Sequence, residues 1–272
     1  MLKFILTTIL ALSLSTLAIA SELPNSPVPG GVALVKIGNS TNAPIVKFKN
    51  KRVMTLKQDN TWYAVVGIGL AEKPGEKQLQ VMTSKAKINF TVNEHEYESQ
   101  HITLKTNKHV NLSQENLDRH YKEKARSRKA LDNWLATQPK TIKLNSPVQG
   151  VISSPFGLRR FYNKQPRKPH SGIDIAAPKG TPIYAPLAGT VTEVGNFFFN
   201  GNVIFIDHGN GLVTMYCHQD ENLVEKGQAV NQGDIIGKVG NTGRVTGPHL
   251  HWGVSLNGNM VDPLLLTPEL RK

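Results

Sequence analysis

Short apolar runs that alternate with polar residues, separated by turn signals, fill the first part of the chain. Such alternation is typical of half-buried β-strands, and pairs such as Asp59-Asn60 and Pro74-Gly75 are typical of the turns that join strands. The predicted strands cover residues 32–37, 45–49, 53–56, 62–66, 78–82 and 88–92. Because they are short and regularly spaced, they predict a small β-sandwich over residues 21–110.

A helical period replaces this alternation over residues 113–136. Apolar side chains fall roughly on one face, at Leu117, Tyr121, Ala125, Leu131, Trp134 and Leu135. The positions between them are mostly charged, so the segment predicts one amphipathic helix that connects two domains. We favour an apolar stripe packed on a neighbouring domain over a basic helix that binds a polyanion. The helix and the linker after it are assigned to residues 111–142.

Glycine and β-branched residues dominate from residue 143 onward. The predicted strands there cover residues 173–176, 182–185, 189–194, 202–208, 213–218, 234–239 and 251–256. This region of the sequence has no convincing helical period, so residues 143–272 predict an all-β domain. The fold class predicted for the whole chain is therefore mostly β, with one connecting helix.

Residues 1–20 have the pattern of a secretory signal peptide. Lys3 supplies a positive start, an apolar run extends from Phe4 to Leu17, and Ala18-Ile19-Ala20 is a small-x-small cleavage site. The apolar run is somewhat short for a membrane span, so we favour cleavage over a retained anchor. The mature protein is then expected to be periplasmic or secreted, with no stable membrane span.

The chain is basic, with a formal net charge of +12, and it stays strongly basic without Lys3. A strongly basic surface favours an anionic partner. For an exported protein that partner is expected to be an acidic polymer of the cell envelope, and export argues against nucleic acid.

Cys217 is the single cysteine of the sequence, so it forms no internal disulfide. It precedes His218, and a cysteine–histidine nucleophile is one reading of this pair. However, adjacent residues of a strand point to opposite faces. We therefore predict that Cys217 is a small buried side chain that points away from whatever His218 faces.

Residue types suited to a metal centre occur in three short islands of the second half of the chain. The first holds His170 and Asp174, the second ends at His218, and the third holds His249 and His251. On a strand, residues at i and i+2 share a face, so His249 and His251 can reach one site. A zinc site with one open position needs about three such ligands, and hydrolysis needs titratable groups beside it. Each residue alone could be structural, but the five together predict a metal centre.

The same islands resemble a known family. His170-Ser171-Gly172-Ile173-Asp174, continued to Pro182, is similar to the first signature of lysostaphin-type zinc metallopeptidases, also called LytM-domain peptidases. Gly247-Pro248-His249-Leu250-His251-Trp252 resembles their second signature, and residues 153–160 resemble the start of that domain. The resemblance covers roughly residues 145–265. Residues 29–34 are more weakly similar to the β-rich domain that precedes some of these peptidases.

The resemblance implies a role for each candidate. It makes His170, Asp174 and His251 the ligands of one zinc ion per chain, and it makes His218 and His249 the catalytic histidines. Cys217 stands where the family usually has glycine or a similar small residue, which we expect to be tolerated. Neither the residues nor the resemblance decides which catalytic histidine acts as base and which assists the leaving group.

The resemblance also implies an enzyme, a zinc metalloendopeptidase that cuts peptide cross-links of bacterial peptidoglycan. Of the cross-links such enzymes cut, we favour D,D-bonds over oligoglycine bridges. One alternative is a catalytically silent LytM-type module that binds and regulates a cell-wall amidase. Another is a structural envelope protein whose histidine cluster stores metal. A further alternative is that the N-terminal domain covers the groove and inhibits the enzyme.

Overall fold

The structure is a computed structural model that describes residues 23–103, 113–163 and 165–271. The predicted leader, residues 1–20, lies outside the described residues. The mostly-β fold class and the single connecting α-helix are confirmed for the described part of the chain. None of the helices described there is long and apolar enough to cross a membrane.

Six antiparallel strands form the N-terminal sheet, at the positions that the alternating pattern predicts. They are β1 (Val32–Gly38), β2 (Val46–Phe48), β3 (Lys51–Gln58), β4 (Thr61–Gly67), β5 (Gly75–Val81) and β6 (Lys87–Val92). Their order is β1-β4-β3-β2-β5-β6. The predicted sandwich is thus one continuous sheet, and it curls until its edge strands, β1 and β6, contact each other. Alternate residues such as Val46, Val53 and Leu79 are buried inside the curl because successive side chains point to opposite faces.

The connecting helix α1 (Gln114–Leu131) is shorter than predicted. Ser113 caps its start, where its Oγ accepts a hydrogen bond from the Asn116 amide. Beyond Leu131 the Asp207 carboxylate accepts a hydrogen bond from the Leu135 amide at 3.2 Å, which holds residues 132–136 outside the helix. The predicted apolar face was also partly wrong, because Tyr121 is 60% exposed. The helix instead covers two phenylalanines with arginines: Arg126 lies over Phe197, and Arg119 over Phe198.

The C-terminal region forms one large antiparallel sheet. Strand β7 (Ser99–Ile102) precedes the helix and belongs to the N-terminal region. The strands that follow the helix are β8 (Val151–Ser154), β9 (Arg159–Tyr162), β10 (Gln165–Pro166), β11 (Ile173–Ala176), β12 (Pro182–Tyr184), β13 (Gly189–Phe197), β14 (Gly201–Gly209), β15 (Leu212–Gln219), β16 (Glu221–Asn222), β17 (Ala229–Val230), β18 (Ile235–Lys238), β19 (His249–Leu256) and β20 (Asn259–Val261). The large sheet runs β17-β13-β14-β15-β19-β11-β8, and β20 pairs with β19. A small sheet, β12-β18-β16, lies beside it, and two 3-10 helices, Pro263–Leu265 and Pro268–Leu270, follow.

The N-terminal and C-terminal regions are packed on each other. Val32, Met54 and Val65 of the N-terminal sheet belong to the same buried apolar cluster as the C-terminal core. Strand β7 of the N-terminal region pairs in parallel with β9, in a three-stranded sheet of order β10-β9-β7. The domain limits at residues 110 and 142 stay a prediction, and the two regions on either side of them share a core and a sheet.

Candidate metal centre

Two of the predicted ligands are direct neighbours across a strand pair. Strands β11 and β19 are antiparallel, and their register sets Asp174 opposite His251 and Ala176 opposite His249. Residues opposite each other in such a pair share a face of the sheet. The Oδ1 atom of Asp174 consequently lies 2.8 Å from Nδ1 of His251.

His170 reaches the same point from the loop before β11. Its backbone is held on both sides, because its amide donates to the Leu158 carbonyl at 3.0 Å and its carbonyl accepts from the Gly157 amide at 2.8 Å. Its Nδ1–H donates to the Pro155 carbonyl at 2.8 Å. The ring therefore presents Nε2, which lies 3.0 Å from Oδ1 of Asp174 and 3.0 Å from Nδ1 of His251.

These three donor atoms fit a metal ion. They lie within 4.8 Å of one another and consist of two imidazole nitrogens and one carboxylate oxygen. Zinc takes this kind of donor, and three protein ligands leave it one open position. Because Nδ1–H of His170 is engaged by a carbonyl, its Nε2 carries a lone pair that faces the other two donors. A shared cation at this point would relieve the close approach of these electron-rich atoms.

The electrostatics of the cluster favour an ionised Asp174 and a neutral His251. Burial alone would raise the pKa of the Asp174 carboxyl, but His170 and His251, whenever they direct a proton at the carboxylate, hold its pKa well below the ordinary value. Burial lowers the pKa of His251, and its hydrogen bond to Asp174 acts in the opposite direction. An ionised carboxylate beside neutral imidazoles is the state that binds a divalent metal.

The other two predicted histidines lie together beside the three donors. The rings of His218 and His249 have centroids 4.9 Å apart. Nε2 of His249 is 3.9 Å from Oδ1 of Asp174, while its Nδ1–H donates to the Gly247 carbonyl. His218 is held in the same way, since its Nδ1–H donates to the Thr242 carbonyl at 3.0 Å. Both rings thus keep Nε2 as the atom that can accept a proton.

His218 has an unusual backbone and a depressed pKa. Its φ of +65° is in the left-handed region, which is uncommon for a residue with a side chain. Its amide donates to the Asn200 carbonyl at 2.8 Å, and this contact holds the strained conformation. Burial, followed by the charges of His251 and His249, lowers the pKa of His218 to about 4. Strain of this kind is often found where a side chain has to be aimed at a site.

Cys217 takes no part in the site. It is fully buried among Phe205, Met215 and their neighbours, and burial raises the pKa of its thiol to about 12. Its Sγ accepts a hydrogen bond from Nδ2 of Asn200 at 3.2 Å. The prediction that Cys217 packs as a small buried side chain is confirmed. The prediction that it points away from the site of His218 was wrong, because β15 pairs Cys217 with His251 and residues opposite each other share a face. The φ of +65° at His218 interrupts the strand alternation on which that prediction rested.

Sequence reasoning missed the residues that hold the histidines in place. The carbonyls of Pro155, Gly247 and Thr242 fix the three Nδ1 atoms described above, and Oγ of Ser154 lies 3.3 Å from Nδ1 of His170. Nη2 of Arg160 also donates to Oγ of Ser154 at 2.9 Å. The sequence does not show which backbone carbonyl will accept a hydrogen bond from a histidine. Only the resemblance at residues 153–160 indicated some of the groups that orient these rings.

Two histidines and one aspartate thus share a face of an antiparallel sheet, with two more histidines beside them, and this donor set is of the kind found in metal-dependent hydrolases. Residues 168–263 match the model of peptidase family M23, and residues 25–95 match that family's N-terminal domain. The chain also aligns with a crystal structure assigned to peptidase M23 from Pseudomonas aeruginosa. That match has 40% identity and a TM-score of 0.76, and it covers 89% of this chain and 95% of the other. The chain belongs to peptidase family M23.

Curated relatives match over less than half of the chain. The chain is 45% identical over 122 residues to the DD-carboxypeptidase/endopeptidase Mpg of Neisseria meningitidis, which covers 44% of this chain and 28% of Mpg. It is 46% identical over 114 residues to the peptidoglycan DD-endopeptidase ShyA of Vibrio cholerae, which covers 42% of this chain and 26% of ShyA. The chain therefore spans little more than a quarter of the length of these relatives.

Proposed function

We propose that this protein is a zinc-dependent endopeptidase that hydrolyses peptide cross-links of bacterial peptidoglycan in the cell envelope. The observation that carries the proposal is the convergence of His170, Asp174 and His251 within 4.8 Å, with His218 and His249 beside them. Three donors of this type leave a position open for substrate and water. A store for metal would have no need of the two additional histidines, each held with one nitrogen ready to accept a proton.

Each residue has a distinct task in the proposed reaction. His170, Asp174 and His251 would hold one zinc ion, which when bound supplies a Lewis acid and lowers the pKa of a water from 15.7 to about 7. His218 and His249 would move the protons, because a neutral imidazole accepts a proton from water and returns it to the leaving amine. Thr242 and Gly247 orient these two rings through their carbonyls. Asp174 orients His251, and its negative charge balances the imidazolium that forms.

The substrate class rests on the relatives and on charge. The names of the Neisseria and Vibrio relatives describe DD-endopeptidases. A net charge of +12 suits an acidic envelope polymer such as peptidoglycan. The predicted signal peptide would deliver the chain to that compartment. Together these features favour cleavage of the D,D-bond in the cross-link.

The test is mass spectrometry of the products released from purified sacculi by the purified protein, with and without a zinc chelator. Zinc is measured on the same samples. Asp174→Asn removes a proposed ligand, and Asp234→Asn is the matched control, since Asp234 is an exposed turn residue that binds Asn231. Chelator-sensitive release of uncrosslinked muropeptides, lost in Asp174→Asn and kept in Asp234→Asn, is the expected result.

The other outcomes point to other functions. Absence of both zinc and product would overturn the proposal in favour of a catalytically silent module that regulates an amidase. Stoichiometric zinc without any product from sacculi or from isolated cross-linked muropeptides would favour a metal-storing envelope protein.

A further inference from the structure

The loop that carries His170 is extended by a strand from the N-terminal region. Strands β9 and β10 pair in antiparallel, and β7 adds to the open edge of β9 as a parallel third strand. The register pairs Gln100 with Arg160 and His101 with Phe161. At one end the Arg159 amide donates to the Glu98 carbonyl at 2.9 Å, and at the other the Asn163 amide donates to the Ile102 carbonyl at 3.0 Å.

This strand pair continues directly into the backbone of the proposed ligand. Gly157 and Leu158, which precede β9, make the two backbone hydrogen bonds that hold His170 described above. Residues 157–162 therefore lie between His170 on one side and residues 98–102 on the other, and they are hydrogen-bonded to both. A shift of residues 157–162 would move His170 relative to Asp174 and His251, which belong to the separate, larger sheet.

Tyr97 packs against the start of the segment formed by residues 157–162. Its ring fills the space beside Gly157, where a Cβ atom would lie only 2.0 Å from Cδ1 of Tyr97. The same ring packs edge-on against Phe156, with centroids 6.0 Å apart. The hydroxyl of Tyr97 donates to the Pro29 carbonyl at 2.7 Å, which ties the ring to the first residues of the N-terminal region. His101 adds a parallel stack on Phe161, with centroids 4.5 Å apart.

A polar path leads from the same strand to the imidazole. Oε1 of Gln100 lies 3.4 Å from Nε of Arg160, and Nη2 of Arg160 donates to Oγ of Ser154. Oγ of Ser154 in turn lies 3.3 Å from Nδ1 of His170. Groups behind a ligating histidine fix the orientation of its ring, and their loss usually weakens metal binding 10- to 100-fold.

From these contacts we infer that residues 97–102 of the N-terminal region are a positioning element for His170, so that the N-terminal region is required for tight binding of the metal. This inference rests on the proposed function in one respect, the assignment of His170 as a zinc ligand. The contacts reach the back of the His170 loop, through Tyr97 and Gln100, while Nε2 of His170 faces Asp174 and His251. The N-terminal region therefore supports the proposed centre from behind the His170 loop.

The test compares two aromatic truncations in the full chain, Tyr97→Ala and Phe90→Ala. Phe90 packs edge-on against Phe48 in the N-terminal core, away from the His170 loop, so its loss also lowers stability. The affinity for zinc is measured by competition with a chelator, below the unfolding temperature of both variants. We expect Tyr97→Ala to bind zinc roughly 10-fold more weakly, which is typical when a group that orients a metal ligand is lost. The zinc affinity of Phe90→Ala should equal that of the unaltered chain. Tyr97→Phe, which keeps the ring beside Gly157, should restore most of the affinity.

A second variant tests the polar path by itself. Arg160→Ala should weaken zinc binding, whereas Gln78→Ala, which removes an exposed amide bound to Asn89 elsewhere in the N-terminal sheet, should not. Equal zinc affinity in Tyr97→Ala, Arg160→Ala and the unaltered chain would overturn the inference while leaving the proposed function intact. Absence of zinc from the unaltered chain would overturn the proposed function itself. Equal losses in Tyr97→Ala and Phe90→Ala would also overturn the inference, because they would show an effect of general destabilisation.

Discussion

Asp174 and His251 lie directly opposite each other on adjacent antiparallel strands, and Oδ1 of one is 2.8 Å from Nδ1 of the other. The pairing register alone sets this distance, since the two residues are far apart in the sequence. A shift of the register by one residue would send one of the two side chains to the opposite face of the sheet. The metal centre thus depends on the alignment of β11 with β19.

Asp174→Asn should bind zinc far more weakly than the unaltered chain. The amide supplies no negative charge, and it leaves His170 and His251 without the carboxylate that both contact. Loss of a ligand should weaken zinc binding more than loss of a residue that orients a ligand. We therefore expect the affinity for zinc to decrease roughly 100-fold or more. Metal analysis after dialysis against a weak chelator measures it. Retention of stoichiometric zinc would show that Asp174 is not a ligand.

His218→Ala should keep zinc and lose turnover. His218 contacts the Thr242 carbonyl and the ring of His249, and the three proposed ligands converge without it. Loss of a group that transfers protons typically costs 10²- to 10⁴-fold in rate, and we expect about that decrease in kcat. Rates on cross-linked muropeptides and zinc content are measured on the same sample. Loss of the metal in this variant would mean that the division between ligands and proton-transfer groups is wrong.

The free energy of unfolding should fall as the pH drops below about 6.5, in part through His208. Burial lowers the pKa of this histidine from 6.5 to about 4. Its Nδ1–H donates to the Ala188 carbonyl, and its Nε2 accepts from the Thr214 hydroxyl, so the neutral ring is satisfied. Between the two pKa values the unfolded chain binds a proton that the folded chain does not, so stability is lost as the pH falls.

The pKa difference of His208 corresponds to about 1.4 kcal/mol per pH unit, or about 3 kcal/mol over the whole interval. Urea unfolding at pH 7 and pH 5 measures the part of this loss that falls between pH 6.5 and pH 5, about 2 kcal/mol. The non-titrating variant His208→Asn should lose less stability over this interval than the unaltered chain does. The control His95→Asn, at an exposed position, should keep the full dependence. An unchanged slope in His208→Asn would show that other groups carry the effect.

Asn257→Gly should lower the free energy of unfolding. The side-chain amide of Asn257 makes two hydrogen bonds to the backbone of Gly67. Its Oδ1 accepts from the Gly67 amide at 2.7 Å, and its Nδ2 donates to the Gly67 carbonyl at 3.1 Å. The Asn257 side chain and the Gly67 backbone are buried where the N-terminal sheet meets β19. Loss of the two hydrogen bonds should therefore lower the free energy of unfolding by about 1–3 kcal/mol. Glycine accepts the left-handed φ of +44° found at this position, which separates the lost hydrogen bonds from backbone strain.

Chemical denaturation of Asn257→Gly and of Asn231→Gly, an exposed turn residue, measures the difference. A loss of stability confined to Asn257→Gly would show that the contact between the two regions stabilises the native chain. Equal stability of the two variants would contradict it.

Much of the fold could be predicted because the signals are local. Period-two alternation predicted all six N-terminal strands, and the β-branched runs predicted the longer C-terminal strands, because each strand has one or two buried faces. Strands as short as β8 and β10 escaped prediction, since a few residues carry too little pattern. The helix was predicted five residues too long, because the Asp207 carboxylate that captures the Leu135 amide belongs to a distant strand.

By itself the sequence determined the mostly β class and the single connecting helix, and it named five candidate site residues that the structure brings together. His249 and His251 share a face through strand geometry alone, and the residue types limit the chemistry to a metal and proton transfer. The tertiary structure decided which atoms meet. His170 joins Asp174 and His251 because the N-terminal strand β7, the strand pair β9-β10 and the large sheet bring distant segments together. Backbone carbonyls that orient imidazoles, and a positive φ at His218, arise from these long-range pairings, which no local pattern of side chains encodes.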